Sequence, residues 1–277
     1  MDRPAGVTGG AMNESRVEGR TDTATMRREC VAFIRSTVRR AGTDGVVIGL
    51  NGGVDSTVTA TLAVEALGAE RVSGLVLPSS KIGSKSAQDA EAVADVLDIE
   101  AETVHLQPLL LSFGEIAPHT DLHGDPIVRE NLVDRIRMTM LYLAANATDR
   151  LVVGTITRSE LLLGSFSEHG DGAADLLPLG GLYRTEVETL AESLEVPDFV
   201  IETPAAAGFY PGRSDSHDIE EPQLVIDAVL RRLVEAEDDP ERIAAALDLD
   251  PEAVERIVRY HETTEHKRRF PQTPSKP

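Results

Sequence analysis

Between Val46 and Thr57 the chain reads VVIGLNGGVDST, an apolar run that stops at two glycines, an aspartate and two hydroxyl residues. Val46–Leu50 has the character of a short buried strand, and a helical pattern opens near Ser56. Such a turn suits an anion. Gly52 and Gly53 permit positive φ and close approach of a ligand to the main chain, and a helix starting near Ser56 points free N–H groups at it. Asp55 does not belong in a bare phosphate cradle, and a carboxylate beside a pyrophosphate is most economically explained by an intervening Mg²⁺. The turn lacks the Gly-Lys-Ser/Thr ending of a Walker loop and the spaced glycines of a dinucleotide fingerprint. By itself it also fits a plain strand-to-helix turn with an aspartate cap.

The elements around this turn must place it at the end of a sheet. Residues 1–24 have no periodicity and read as a disordered tail. Cys30, Phe33, Ile34, Thr37 and Val38 mark an amphipathic helix ending near Gly42. Strands are expected at Val46–Leu50, Val72–Leu77, Glu102–Leu106 and Leu151–Val153. Helices are expected at Ser56–Leu67, Ala87–Leu97, Arg129–Asn146 and Tyr183–Leu194. This alternation predicts an α/β fold, a parallel sheet with helices on both faces. A Gly/Pro/Ser-rich loop follows at Ala205–Asp218, then two or three helices over 223–268 and a tail at 271–277. One domain over 25–270 accounts for the pattern.

Composition narrows the function. The 277 residues carry 47 acidic and 27 basic side chains, a formal charge of −20, and lysine stands only at Lys81, Lys85, Lys267 and Lys276. Such a surface repels nucleic-acid phosphates. It suits a cytoplasm of very high salt, so the protein reads as halophilic. Cys30 is the single cysteine, which leaves no internal disulfide and no Cys-rich metal site. With no apolar leader and no stretch of about 18 apolar residues, a cytoplasmic location is expected and no membrane partner.

Further segments give the turn its context: RENLVDRIRM (129–138), VVGTITRSELLLGSFSEHGDGAADLLPLGGLYRTEV (152–187), AAAGFYPGRSD (205–215) and TEHKRRFP (264–271). The turn resembles the SGGxDS loop of ATP pyrophosphatases. In this order, the set resembles the ammonia-dependent NAD synthetases over about residues 28–271, and the chain reads as a divergent, haloarchaeal member. The resemblance implies an adenine-nucleotide α-hydrolase-like fold and a two-step ligation. The nicotinate carboxylate of deamido-NAD attacks the α-phosphorus of ATP, releasing pyrophosphate, and ammonia then displaces AMP. Positioning, Mg²⁺ and charge neutralisation are what such a reaction needs.

The resemblance assigns residues. Ile48, Gly49 and Leu50 lead into a pyrophosphate loop of Asn51, Gly52, Gly53, Val54, Asp55 and Ser56. Asp55 and Glu160 would hold Mg²⁺, Glu160 lying five residues after Thr155 in a GTxxxxE pattern. Thr155 matches an ATP-contacting position. Arg135, Asp175, His266 and Lys267 match positions that meet deamido-NAD, with Asp171 in the adjoining Gly-Asp-Gly turn. The resemblance also implies a homodimer with the substrate across the interface. The Leu132–Leu143 stripe fits either a subunit surface or an internal core.

Several functional positions depart from the family pattern. Asn51 replaces a serine, Arg184 an ATP-binding lysine, and Ala206 a hydroxyl residue that contacts ATP. Glu168 replaces a lysine that contacts deamido-NAD. That last reversal of charge is worth several kcal/mol at about 4 Å in a partly shielded site. It leaves two alternatives open: an ATP pyrophosphatase adenylating another carboxylate or carbonyl substrate, and a nucleotide-binding pseudo-enzyme. No glutaminase is expected, because Cys30 reads as a core residue. Ammonia would be free or delivered by another protein.

Overall fold

A computed structural model describes residues 22–79, 85–117, 122, 124–201, 219, 221–270 and 273. Residues 1–21 of the expected N-terminal tail, the Ala205–Asp218 loop with Ala206, and nearly all of the 271–277 tail lie outside the described residues. The end of the expected tail is ordered instead, because Asp22 caps a helix that opens at Thr23. Four strands form one sheet, β1 (Gly45–Leu50), β2 (Val72–Val76), β3 (Glu100–Thr103) and β4 (Arg150–Val153). All pairings are parallel and the order is β3-β2-β1-β4. The register pairs Val46 with Val72 on one side and with Leu151 on the other.

Alternation along β1 separates two cores. Val46, Ile48 and Leu50 pack with α1 (Thr23–Ala41), α2 (Val54–Leu67) and α7 (Arg184–Ser193), through side chains such as Ile34, Leu62 and Leu190. Val47 points the other way, joining Val152 in a cluster with Ile136, Met138 and Leu141 of α5 (Pro126–Ala147). A sheet covered on both faces is what a parallel arrangement requires. A third core is wholly helical. It joins α6 (Arg158–Leu163) to α9 (Gln223–Glu235), α10 (Pro240–Leu247) and α11 (Pro251–Thr263), around Leu163, Ile226, Val229, Ile243 and Ile257.

Local chemistry sets the helix starts. Asp125 caps α5 by accepting from the N–H groups of Ile127 and Val128 (3.0 and 3.2 Å), with Pro126 in the first turn. Gly42 closes α1 in the left-handed region, and its N–H meets the Val38 carbonyl. Among the described residues, no helix is long and apolar enough to cross a membrane.

Several elements differ from expectation; α6 and a short helix α8 (Asp198–Ile201) have no counterpart among the expected helices. β3 begins two residues early, on the exposed sequence Glu-Ala-Glu-Thr, because an edge strand needs no apolar alternation. Val104 and Leu106 still bond to the Val76 and Pro78 carbonyls. The helix α4 (Gln107–Ile116) is not among the expected elements; its Leu109, Phe113 and Ile116 recur at helical spacing but are exposed, and none of its residues is buried. The expected Leu132–Leu143 stripe resolves toward the interior: Val133, Ile136, Met138 and Leu141 are buried, whereas Leu143 is 62% exposed.

Candidate active site

The sheet order places β1 between β2 and β4, so the chain leaves β1 toward one edge and later returns on the other side. The crevice beyond the carboxyl ends of β1 and β4 is therefore the switch point, where open α/β sheets bind ligands. The Asn51–Ser56 turn follows β1, and the Gly154–Glu160 segment follows β4. Two motifs about a hundred residues apart thus meet at one edge of the sheet.

The first turn is internally braced. Asn51 Oδ1 accepts from Gly53 N (2.9 Å) and from Ser56 Oγ (2.7 Å). Asn51 therefore acts as an acceptor that pins the loop. Gly52 has φ +76°, and a Cβ there would lie 2.8 Å from both Asp89 Cβ and the Ser86 carbonyl. Its bareness is required by the start of α3 (Lys85–Val96). Gly53 does not use positive φ, contrary to expectation. At φ −89° it is the N-cap of α2. The first α-helical bond of α2 runs from Thr57 N to Gly53 O (3.1 Å), so the N–H groups of Val54, Asp55 and Ser56 are not used by the helix ladder.

Asp55 sits in that first turn. Its Oδ2 accepts from Arg184 Nη1 at 2.6 Å, and the two side chains are 20% and 8% exposed. Asp55 Oδ1 is buried with no hydrogen-bond partner among the described residues. Burial pushes the Asp55 carboxyl up, and the Arg184 guanidinium pulls it back down. Arg184 also reaches Glu188 Oε1 (3.4 Å).

Across the crevice, Thr155 is half-buried between β4 and α6. Thr157 and Glu160 form a capping box that starts α6: Glu160 Oε2 accepts from Thr157 N (2.6 Å) and Oγ1 (2.7 Å), and Thr157 Oγ1 accepts from Glu160 N (3.3 Å). One carboxylate oxygen of Glu160 is thereby committed to the fold.

Two residues under this crevice were not legible as site residues. Ser159 Oγ donates to Asp227 Oδ1 (2.6 Å) and accepts from Arg184 N (2.9 Å), while Asp227 Oδ2 accepts from Thr185 N (2.9 Å). Ser159 and Asp227 are both buried. Together they fix the start of α7 and so the origin of Arg184. The available signal was a charged residue inside the apolar run QLVIDAVL.

The remaining candidates lie on more open surface. Arg135 projects from the exposed side of α5, and its Nε and Nη2 donate to the Glu168 carbonyl (3.3 and 3.2 Å). The Glu168 carboxylate meets the adjacent His169 Nε2 at 3.8 Å. Asp175 braces β4, accepting from Val152 N (2.8 Å) and from Tyr142 OH (2.9 Å). Burial and the Asp175 carboxylate push the Tyr142 hydroxyl up to about 12. Lys267 Nζ donates to the carbonyls of Gly164 (2.7 Å) and Phe166 (2.9 Å), closing the end of α6, and His266 is exposed. Asp171 opens a short turn over Asp171–Ala173. Although its residue is solvent-accessible, crowding by the surrounding chain and then the Asp134 charge push its carboxyl up to about 7, against the pull of Arg137. Asp134 is buried and accepts from Ser167 Oγ (2.6 Å) and Arg137 Nη1 (3.2 Å). Cys30 is buried against the Pro178 carbonyl, and burial pushes its thiol up to about 11, so it is a core residue.

A parallel α/β domain with a braced Gly-Gly-Val-Asp-Ser turn at its switch point defines a nucleotide-binding protein of the adenine-nucleotide α-hydrolase class. Comparison with known proteins is more specific. The NAD synthase family model matches residues 26–271, and the chain belongs to that family. It is 40% identical over 245 residues to an NH(3)-dependent NAD(+) synthetase of Methanosarcina acetivorans, covering 88% of this chain and 95% of the relative. The NH3-dependent NAD synthetase of Campylobacter jejuni superposes with a TM-score of 0.77 at 26% identity, covering 92% of this chain and all of that one. An NMN synthetase from Francisella tularensis superposes with a TM-score of 0.79 at 29% identity, covering 92% and 99%.

Proposed function

We propose that this protein amidates deamido-NAD to NAD with ammonia, driven by ATP through an acyl adenylate. The convergence of Asp55, Arg184 and the free first-turn N–H groups of α2 at the switch point carries this reading. The pyrophosphate of ATP would lie on Gly52, Gly53, Val54 and Ser56, over the start of α2. Thr155 would meet the nucleotide from the β4 side, and Arg184 would neutralise phosphate charge.

The donors present fit Mg²⁺. Asp55 Oδ1 is a buried hard oxygen lacking a hydrogen-bond partner among the described residues, and Mg²⁺ on a nucleotide commonly takes only one or two protein carboxylates. Asp55 and Glu160 would hold it. There it would screen the charge of the departing pyrophosphate. The protein's own part is positioning: Asn51 fixes the loop, Ser159 and Asp227 fix Arg184, and burial excludes water.

The nicotinate carboxylate oxygen bonds to the α-phosphorus as the bond to pyrophosphate breaks. Ammonia then bonds to the acyl carbon, and AMP leaves with that carboxylate oxygen. Deamido-NAD bearing heavy oxygen in its carboxylate should therefore transfer one labelled atom to AMP, as read by mass spectrometry. Label found in pyrophosphate, or retained wholly in the dinucleotide, would contradict this course.

The acceptor side is proposed to be completed by a second copy of the chain. Val128, Arg135 and Leu143 recur on one exposed face of α5. The exposed apolar side chains Leu111 (61%) and Ile116 (78%) of α4 add to the uncovered surface. A face this apolar on a chain of charge −20 fits a partner of the same kind. Arg135 would then meet substrate where the two copies join, and Asp175, His266 and Lys267 would contribute from their own elements. The acidic surface supports a high-salt cytoplasm as the working environment.

A second reading is favoured by one observation. The structural likeness to an NMN synthetase makes a mononucleotide acceptor the specific alternative.

A further inference from the structure

Arg184 stands at the centre of the crevice, yet the carboxylate it neutralises is the one a metal would need. Its Nη1 lies 2.6 Å from Asp55 Oδ2, and its side chain is only 8% exposed. Its backbone N–H is held by Ser159 Oγ, which is itself held by Asp227, and the next residue is bonded directly to Asp227. The arginine is thus anchored at the first residue of α7, with Glu188 one turn along offering a second acidic contact at 3.4 Å. A guanidinium does not lose its proton in a protein, and its fork can serve two carboxylates where a lysine ammonium is a single point charge. A buried carboxylate deprived of such a partner is left as an uncompensated charge.

We propose that Arg184 is the resident counter-ion of Asp55 and makes metal uptake at this carboxylate conditional on nucleotide. Without nucleotide, a divalent cation approaching Asp55 meets a fixed positive charge in a water-poor crevice. Nucleotide phosphates supply the negative charge that lets Arg184 and a metal occupy the crevice together. The inference rests on Asp55 as the metal-bearing carboxylate of the ATP site. It gives Arg184 a second task besides contacting phosphate.

The test is equilibrium binding of Mn²⁺, followed by the loss of its free electron paramagnetic signal, on the full chain. Wild type without nucleotide should bind Mn²⁺ weakly. Wild type with a non-hydrolysable ATP analogue should bind it tightly, and Asp55→Asn should abolish that gain. Arg184→Gln without nucleotide should bind one Mn²⁺ at least about tenfold more tightly than wild type, and adding Asp55→Asn should remove that site. Arg184→Lys, which keeps the charge, should behave as wild type. Should Arg184→Gln fail to fold by circular dichroism, Arg184→Met carries the same comparison. Nucleotide-free wild type binding Mn²⁺ as tightly as the charge-neutral variant would overturn the proposal. So would tight binding that survives Asp55→Asn in the Arg184→Gln background. If Asp55-dependent uptake with the analogue is seen but the neutral variant gains nothing, only this inference falls. If wild type shows no Asp55-dependent uptake even with the analogue, the reading of the ATP site falls with it.

Discussion

The two halves of the crevice are built differently. On the β1 side, Asp55, Arg184, Ser159 and Asp227 form one continuous set of bonds of 2.6–2.9 Å among mostly buried groups. On the α5 side, Arg135, Glu168 and His169 lie on more open surface, and among the described residues Arg135 bonds to a backbone carbonyl at 3.2–3.3 Å. Polar groups in a low-dielectric setting are costly unless paired; the first half meets that need within one chain, save at Asp55 Oδ1, which has no hydrogen-bond partner among the described residues. The second can tolerate charge reversal at position 168 because water screens it there. The contrast is between a braced, mostly buried set on the β1 side and a loosely held, open one on the α5 side; the proposed second copy would cover the latter.

The largest expected effect tests the closed half. Asp55→Asn should lower AMP release by about 10²–10³-fold, whatever the acceptor; a near-normal rate would remove Asp55 from the chemistry. Arg135→Ala should raise KM for deamido-NAD by about 10–100-fold, the scale of a lost charged hydrogen bond. Nucleotide affinity should be unchanged, and an equal loss for ATP would erase the distinction between the halves. Leu111→Glu with Ile116→Glu should yield monomers by light scattering. Acceptor KM should rise by about tenfold while ATP analogue binding is kept. A dimer that persists would move the interface elsewhere.

A smaller effect is expected at Glu168. Glu168→Lys should tighten deamido-NAD binding by several-fold at low salt, and the gain should fade at high salt. The smallest concerns pH. The Asp171 carboxyl is held near 7 in the fold, above its ordinary value of 3.8. A raised carboxyl favours the folded state while protonated. Its contribution is therefore full below about pH 4 and is lost as pH rises through about 7. Asp171→Asn should flatten the fall of Tm across that window, by a modest amount because the residue is solvent-accessible.

The sequence made the closed half largely readable, because its strand, Gly-Gly turn and first helical turn are contiguous and carry their own local signals. Helix starts with local caps, such as Thr157–Glu160, lie within that reach. What stayed hidden was non-local. Asp227 comes to Ser159 across 68 residues, and only packing of the third core brings them together. Gly52 was readable as a positive-φ residue, but not as a contact of α3. Arg184 was assigned to ATP through the resemblance alone, and its pairing with Asp55, across 129 positions, had no local signal. The acceptor half was legible only as a set of matching residues. Its surface helix α4 buries no residue, so the helical spacing of Leu109, Phe113 and Ile116 marks no interior face.

The most direct test supplies purified protein with ATP, Mg²⁺ and ammonium in concentrated potassium chloride. Deamido-NAD and nicotinate mononucleotide are offered separately as acceptors, and all products are quantified by mass spectrometry. The account predicts NAD, AMP and pyrophosphate in equal amounts, none without ammonia, and a far higher kcat/KM for deamido-NAD than for the mononucleotide. Amidation confined to the mononucleotide, or nucleotide binding with no AMP from either acceptor, would contradict it.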